Sequence, residues 1–176
     1  MAKIKEIRCI RTRADGTWLI VKVLTDQPGL SFQAFPRFAS EVFAYLHSDN
    51  TAQFKRFREG LEQLLQEGVV QVLKVADSAT RVPLLGAVGP LQFDVVQYRL
   101  KSEYGADSRL ERTDWTLMRW TAPAVPREAV AKAVLPTGTR LAEDEGGRTV
   151  VLFTTEWSLG YFAEKNPSIA LTTIRE

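Results

Sequence analysis

An α+β fold, a split β-α-β plait with two helices on one face of an antiparallel sheet, is predicted by three features of this 176-residue sequence. The first is a strand-to-helix transition. Pro83 to Val88 is a short apolar run ending at Gly89, and Pro90 suits a first helical turn, where its missing N–H is no loss. The second is the helical spacing of Phe54, Phe57, Leu61, Leu64 and Leu65 on one face, stopped by Gly68. The third is the alternation of these helices with β-branched runs, which spells strand, helix, strand, strand, helix, strand over residues 39–113.

Each element has a local cause. Ile4 to Arg13 and Thr17 to Leu24 are strand-like and meet at Ala14-Asp15-Gly16, where Asp-Gly favours a hairpin. Ser31 to Phe35 adds a third short strand. Asp26-Gln27-Pro28-Gly29 fits the Asp-x-x-Gly pattern of a nucleotide switch but stands alone as turn chemistry. Residues 1–38 thus read as a β-hairpin segment of the kind a preceding β-barrel domain would leave. Glu41 to Leu46 is the first plait strand, and Asn50 with Gln53 fits a capping box for the helix that follows. Val69 to Val75 is the next strand and Asp77 to Thr80 a loop. The helix after Gly89 runs to about Tyr104 with a wide apolar face of Leu91, Phe93, Val95, Val96, Tyr98 and Leu100, and Gly105 is its C-cap. Ser108 to Thr113 closes what is the ferredoxin-like arrangement.

Residues 114–176 read as a C-terminal α/β extension packed on the plait. Trp115 to Thr121 is a strand, which puts Trp115 and Trp120 on opposite faces. Core packing is expected for both, and for Trp157. Pro126 to Ala133 is a short helix entered at proline, Thr149 to Thr155 an apolar strand, Glu156 to Asn166 a final helix, and Ala170 to Ile174 a closing strand. The run from Ala142 to Gly147 lacks the Asp-x-Asp-x-Asp-Gly spacing of a calcium loop and reads as an exposed loop.

Composition narrows the function classes. With 45% hydrophobic residues and a net charge of +2, the chain is neither disordered nor fibrous. Its apolar runs fall short of the ~20 residues of a membrane helix, and its first residues lack the apolar core of a signal peptide, so no membrane partner and a cytoplasmic location are expected. His47 and Cys9 are the sole residues of their kinds, leaving no zinc set, disulfide or Cys-x-x-Cys. No catalytic residue, cofactor or metal is expected. Charge is uneven: residues 1–58 carry +5 and residues 59–176 carry −3. Lys55, Arg56 and Arg58 share one helix and Arg37 precedes the plait, a layout suited to RNA phosphate contacts without base readout or a DNA partner. A solvated helix face is the alternative.

One motif says more than composition. Gly86-Ala87-Val88-Gly89-x-Leu91-Gln92-Phe93-Asp94-Val95-Val96-x-x-Arg99-Leu100-Lys101-x-Glu103-Tyr104 resembles the C-terminal domain of bacterial peptide chain release factor three, a translational GTPase. Elongation factor G carries a looser version. Phe35 to Phe43, Gly60 to Val72 and Arg119-Trp120 extend the resemblance over roughly residues 24–176. Ser40 stands where the family usually has proline, and residues 1–23 do not match the family's preceding domain. The resemblance implies the same plait, a ribosomal partner of rRNA and protein on the small subunit, and a G-domain in the full-length factor. It also implies, for that factor, GTP-dependent removal of decoding release factors after peptide release. The sequence has no Gly-x-x-x-x-Gly-Lys-Ser/Thr loop and no Asn-Lys-x-Asp, so a ribosome-facing fragment or truncated relative without the GTPase engine is expected. Within the motif, Asp94, Arg99 and Lys101 join Arg37, Lys55, Arg56 and Arg58 as candidate ribosome or interdomain contacts. Asp94 reads as a solvent-side residue or as an ion pair to another domain.

Two readings from other classes stay open. A small plait enzyme, such as an acyl-phosphate hydrolase, would hold phosphate on backbone N–H groups at the Gly86–Gly89 turn, where Pro90 removes one donor. A freestanding adaptor would bind a protein through its N-terminal hairpin.

Overall fold

The structure, a computed structural model, describes residues 4–12, 18–25, 37–76 and 82–175, which fall into two units, Met1–Phe35 and Pro36–Glu176. In the first unit, β1 (Ile4–Thr12) and β2 (Trp18–Thr25) form an antiparallel ribbon with Thr12 opposite Trp18. The expected turns at 14–16 and 26–29, the short strand at 31–35 and the loop at 77–80 lie outside the described residues.

The second unit runs β3 (Arg37–Phe38), β4 (Val42–Ser48), a 3-10 turn (Thr51–Gln53), α1 (Phe54–Gln66), β5 (Gln71–Val75), β6 (Leu84–Ala87), α2 (Leu91–Tyr104) and β7 (Ser108–Arg112). It continues with β8 (Leu117–Thr121), α3 (Arg127–Ala131), β9 (Arg140–Asp144), β10 (Thr149–Phe153), α4 (Glu156–Lys165), β11 (Leu171–Thr172) and β12 (Ile174–Arg175). One eight-stranded sheet holds the order β11-β8-β10-β9-β5-β6-β4-β7, and β3 with β12 makes a separate ribbon. The described strand pairs are all antiparallel. The run β5-β6-β4-β7 is the expected split β-α-β plait, and β9 adds to it by pairing with the edge of β5.

Register decides which side chains meet the helices. Val72 lies opposite Leu85 and Leu85 opposite Ala44, and these residues join Phe57, Leu64, Phe93, Val96 and Leu100 in the core beneath α1 and α2. Val75 lies opposite Ala142, so the intervening Leu141 falls on the same side as Val72. Leu141 pairs with Val151 under α3 and α4, where Phe162 meets Phe153 edge to face at 5.5 Å. All four helices therefore cover one face. The other face gathers Phe43, Leu73, Leu84, Met118, Trp120 and Leu152, with Ala39 and Trp115 packed against them.

Two glycines of the resembling segments are dictated by close approach. A Cβ on Gly60 would stand 2.7 Å from the Tyr104 ring, so α1 and α2 touch there, and Tyr104 also donates its hydroxyl to Gln63 Oε1 at 2.5 Å. A Cβ on Gly86 would stand 2.7 Å from Ser40 Oγ, which is buried without a hydrogen-bond partner among the described residues. At the other end of α2, Gly105 takes φ 59° and its N–H closes the last turn on Leu100 and Lys101 carbonyls.

Several expectations are corrected. The Asn50–Gln53 capping box does not form: Asn50 Oδ1 accepts from Ala52 N at 2.9 Å, but Gln53 Oε1 accepts from distant Asp107 N, and a 3-10 turn precedes α1. Phe54 is half-exposed and stacks on Phe57 at 6.3 Å, because it sits at the helix start beyond the sheet. The stretch 142–147 is an exposed turn only from Glu145 onward. Ala142 and Asp144 are buried in β9, and Asp144 accepts from Trp120 Nε1 at 3.1 Å and from Gly146 N and Arg148 N, and pairs with Arg175 Nε at 3.0 Å. A buried carboxylate is tolerated when it is bonded this fully. Trp115 precedes β8, so strand alternation does not govern it, and it packs against the same cluster as Trp120. The closing strand is divided into β11 on β8 and β12 on β3.

Candidate functional site

The strand-to-helix turn at the head of the motif is already satisfied from within. Gln92 Oε1 accepts from Val88 N at 2.7 Å and from Gly89 N at 3.4 Å, and Pro90 has no N–H to give. The amides that a phosphate cradle would need are thus turned to a side chain of the helix they precede.

Within α2 the motif splits into two functions. Phe93, Val96 and Leu100 are buried, Gln97 donates to Ser108 O at 2.8 Å, and Lys101 pairs with Asp107 at 3.0 Å, so these residues hold the helix to the plait. Arg99 is held by Glu67 near the end of α1 and by Glu103 one turn on, the latter at 2.7 Å from Nε. The hydrogen bonds that Arg99 donates to Glu103 and then to Glu67 raise the Arg99 pKa above its ordinary value, and the one donated to Glu103 lowers the pKa of that carboxyl. Burial raises the Tyr104 hydroxyl, with Glu103 adding to it.

The remaining motif residues have no such internal task. Leu91, Val95 and Tyr98 are 75%, 45% and 73% exposed, and Val88 before them is half-exposed. The wide single face expected for α2 is therefore wrong. At 3.6 residues per turn, the stripe 91-95-98 lies about 170° round the helix from the buried stripe 93-96-100. The sheet reaches only the second stripe. Asp94 stands exposed in the first turn, with Arg99 and Lys101 committed elsewhere.

The candidate cations are not all brought together. Lys55, Arg56 and Arg58 are exposed on the first turns of α1. Lys55 reaches Glu59 at 3.9 Å, while Arg56 and Arg58 have no ion-pair partner among the described residues. Arg56 comes close to Gly105 at the end of α2. Arg37 stands apart in β3, paired with Glu145 at 3.1 Å. His47, the single histidine, sits 2.8 Å from Glu111, and among the described residues no three His, Cys, Asp or Glu are placed to hold a metal.

Two features are not evident from the sequence. The stripe 91-95-98 carries the i, i+4, i+7 signature, hidden because the opposite side of the helix is apolar as well. Trp157, expected in the core, is 71% exposed; it stacks on Tyr161 at 5.3 Å, and Lys165 lies 5.5 Å from the same ring. The i, i+4, i+8 spacing along α4 is the available signal. No helix among the described residues is long and apolar enough to cross a membrane.

Comparison with known proteins gives a consistent picture. The family model for the C-terminal domain of class II release factor RF3 matches residues 32–163. The chain is 43% identical over 145 residues to a peptide chain release factor 3 from Microcystis aeruginosa, covering 82% of this chain and 26% of that protein. Against the protein of that name from Gloeobacter violaceus it is 40% identical over 154 residues, 88% of this chain and 29% of the relative. Against that from Gloeothece citriformis it is 38% identical over 159 residues, 90% of this chain and 29% of the relative. The chain thus spans between a quarter and a third of the length of these relatives.

Proposed function

The chain belongs to the family of the class II release factor RF3 C-terminal domain, and on that premise we propose that it is a non-catalytic docking domain of a translation termination factor. It joins the ribosome to the G-domain of the full-length factor, which uses GTP to recycle decoding release factors. The observation that carries this reading is the second apolar stripe of α2. A helix that is apolar on two opposite sides is built to be covered on both, and the sheet covers one. Leu91, Val95 and Tyr98 are the surface for the G-domain, with Asp94 beside them for an ion pair. Lys55, Arg56 and Arg58 are the phosphate-facing cations, Arg37 a secondary one, and Lys101 serves through its pair with Asp107. Arg99 serves by bracing the two helices. Residues 1–38 are the tail of a preceding β-barrel domain.

Sedimentation of the chain with ribosomes over a salt series tests the ribosomal half. Association should weaken as salt rises, because phosphate contacts release counterions, and Arg56→Ala with Arg58→Ala should lower the logarithmic slope by about 1 for each phosphate no longer neutralised. Salt-independent binding, or none, would remove the ribosomal half. An enzymatic alternative has less support, since the amides at Val88 and Gly89 are turned to Gln92.

A further inference from the structure

At the end of β5 and the start of β9, mainly on the side of the sheet opposite the helices, a cleft of about 480 Å³ opens between Tyr45, Val75, Trp115, Leu135 and Arg140, with Ala76 and Leu141 also lining it. Its volume is in the range of small-molecule sites. Arg140 begins β9 two residues before buried Ala142, so alternation turns it to the same face as the Trp120 cluster. Trp115 is pinned across the loop leading to Arg140, because its Nε1 donates to Gly138 O at 2.9 Å, and Gly138 takes φ 81°. Tyr45 stands on β4 with its hydroxyl pKa raised by burial and then by Glu111, so it presents a neutral phenol. Arg140 donates Nη1 to Thr139 O at 3.1 Å, and among the described residues no carboxylate forms an ion pair with it. The lining therefore offers two aromatic rings, aliphatic walls and one cation, with no acid among them.

A flat ring carrying an anion is the ligand this chemistry selects. We propose that the cleft binds a nucleoside monophosphate unit, as a free nucleotide or as one unpaired residue of an RNA strand. The base lies against Trp115 and Tyr45, since stacking on aromatic rings tolerates any base. The phosphate lies on Arg140, whose planar fork matches two phosphate oxygens. This goes beyond the docking reading, and its first probe involves no ribosome, so the two can fail separately.

The test is a titration of the whole 176-residue chain with AMP, adenosine and inorganic phosphate, following the Trp115 indole and Gly138 amide resonances. AMP should move both signals and bind at least about tenfold more tightly than adenosine or phosphate alone, and Arg140→Ala should bring AMP down to the level of adenosine. Arg140→Lys keeps the charge without the fork and should fall between; unchanged signals elsewhere in the spectrum verify that both variants fold. A short single-stranded RNA that displaces AMP and binds more tightly identifies RNA as the source, whereas equal or weaker binding identifies the free nucleotide. Unmoved Trp115 and Gly138 signals with millimolar AMP and with RNA, or AMP affinity indifferent to Arg140→Ala, would overturn the proposal.

Discussion

Along α2, Phe93, Val96 and Leu100 are sealed against the sheet, while Leu91, Val95 and Tyr98, equally apolar, face outward on the same helix. The inner stripe is explained by the fold of this chain. The outer stripe is not, since nothing in the plait needs an exposed leucine, valine and tyrosine in one row. Burial of each large side chain is worth about 1.5–3 kcal/mol, a gain the inner stripe realises on folding and the outer stripe can realise only on association. The contrast separates residues that the fold of the domain covers from residues that it leaves uncovered.

The comparison can be broken most sharply at its buried end. Leu100→Ala should cost about 2–5 kcal/mol in chemical denaturation, because the core around it relaxes only partly, whereas Leu91→Ala should stay within about 0.5 kcal/mol. Similar losses at both would erase the distinction between the stripes. Next in size is the contact of α1 with α2. Gly60→Leu should destabilise by about 1–3 kcal/mol through collision with Tyr104, outweighing a helix-propensity gain of about 1 kcal/mol. A stabilised Gly60→Leu chain would mean that the helices do not touch there.

A smaller effect concerns the brace between them. The Glu103 pKa is lowered by its hydrogen bond from Arg99, so its contribution is present above the ordinary carboxylate value of 4.5 and fades as pH falls through the lower folded value. Glu103 is nearly half exposed, so this amounts to about 0.5 kcal/mol or less. Denaturation at neutral pH and well below pH 4.5 should show that component in the native chain and not in Arg99→Ala. Smaller still, Leu91→Ser with Tyr98→Ser should leave the unfolding midpoint almost unmoved.

What is legible in the sequence follows the range of the interactions. The limits of α2 are readable because Pro90 and Gly105 punctuate it locally, and the plait order because each strand and helix carries its own period. The start of α1 is misleading in sequence because Gln53 answers to Asp107, far along the chain. Asp144 looks like a loop residue because its partners, Trp120 and Arg175, are distant in sequence. Of the candidate contacts, the α1 cations are exposed as the pattern suggests, but nothing local reveals that Arg99 is held by Glu67 or Arg37 by Glu145. The outer stripe merges into one broad face on the sequence because hydrophobicity alone does not say how many sides of a helix will be covered.

The most direct measurement is the affinity of this chain for the G-domain-bearing remainder of a release factor 3 relative, compared between the native sequence and the Leu91→Ser, Tyr98→Ser double variant. If the outer side of α2 is the docking face, the native chain associates and the double variant binds at least about tenfold more weakly while its unfolding midpoint is unchanged. No association by the native chain, or equal affinity for both, would contradict the account.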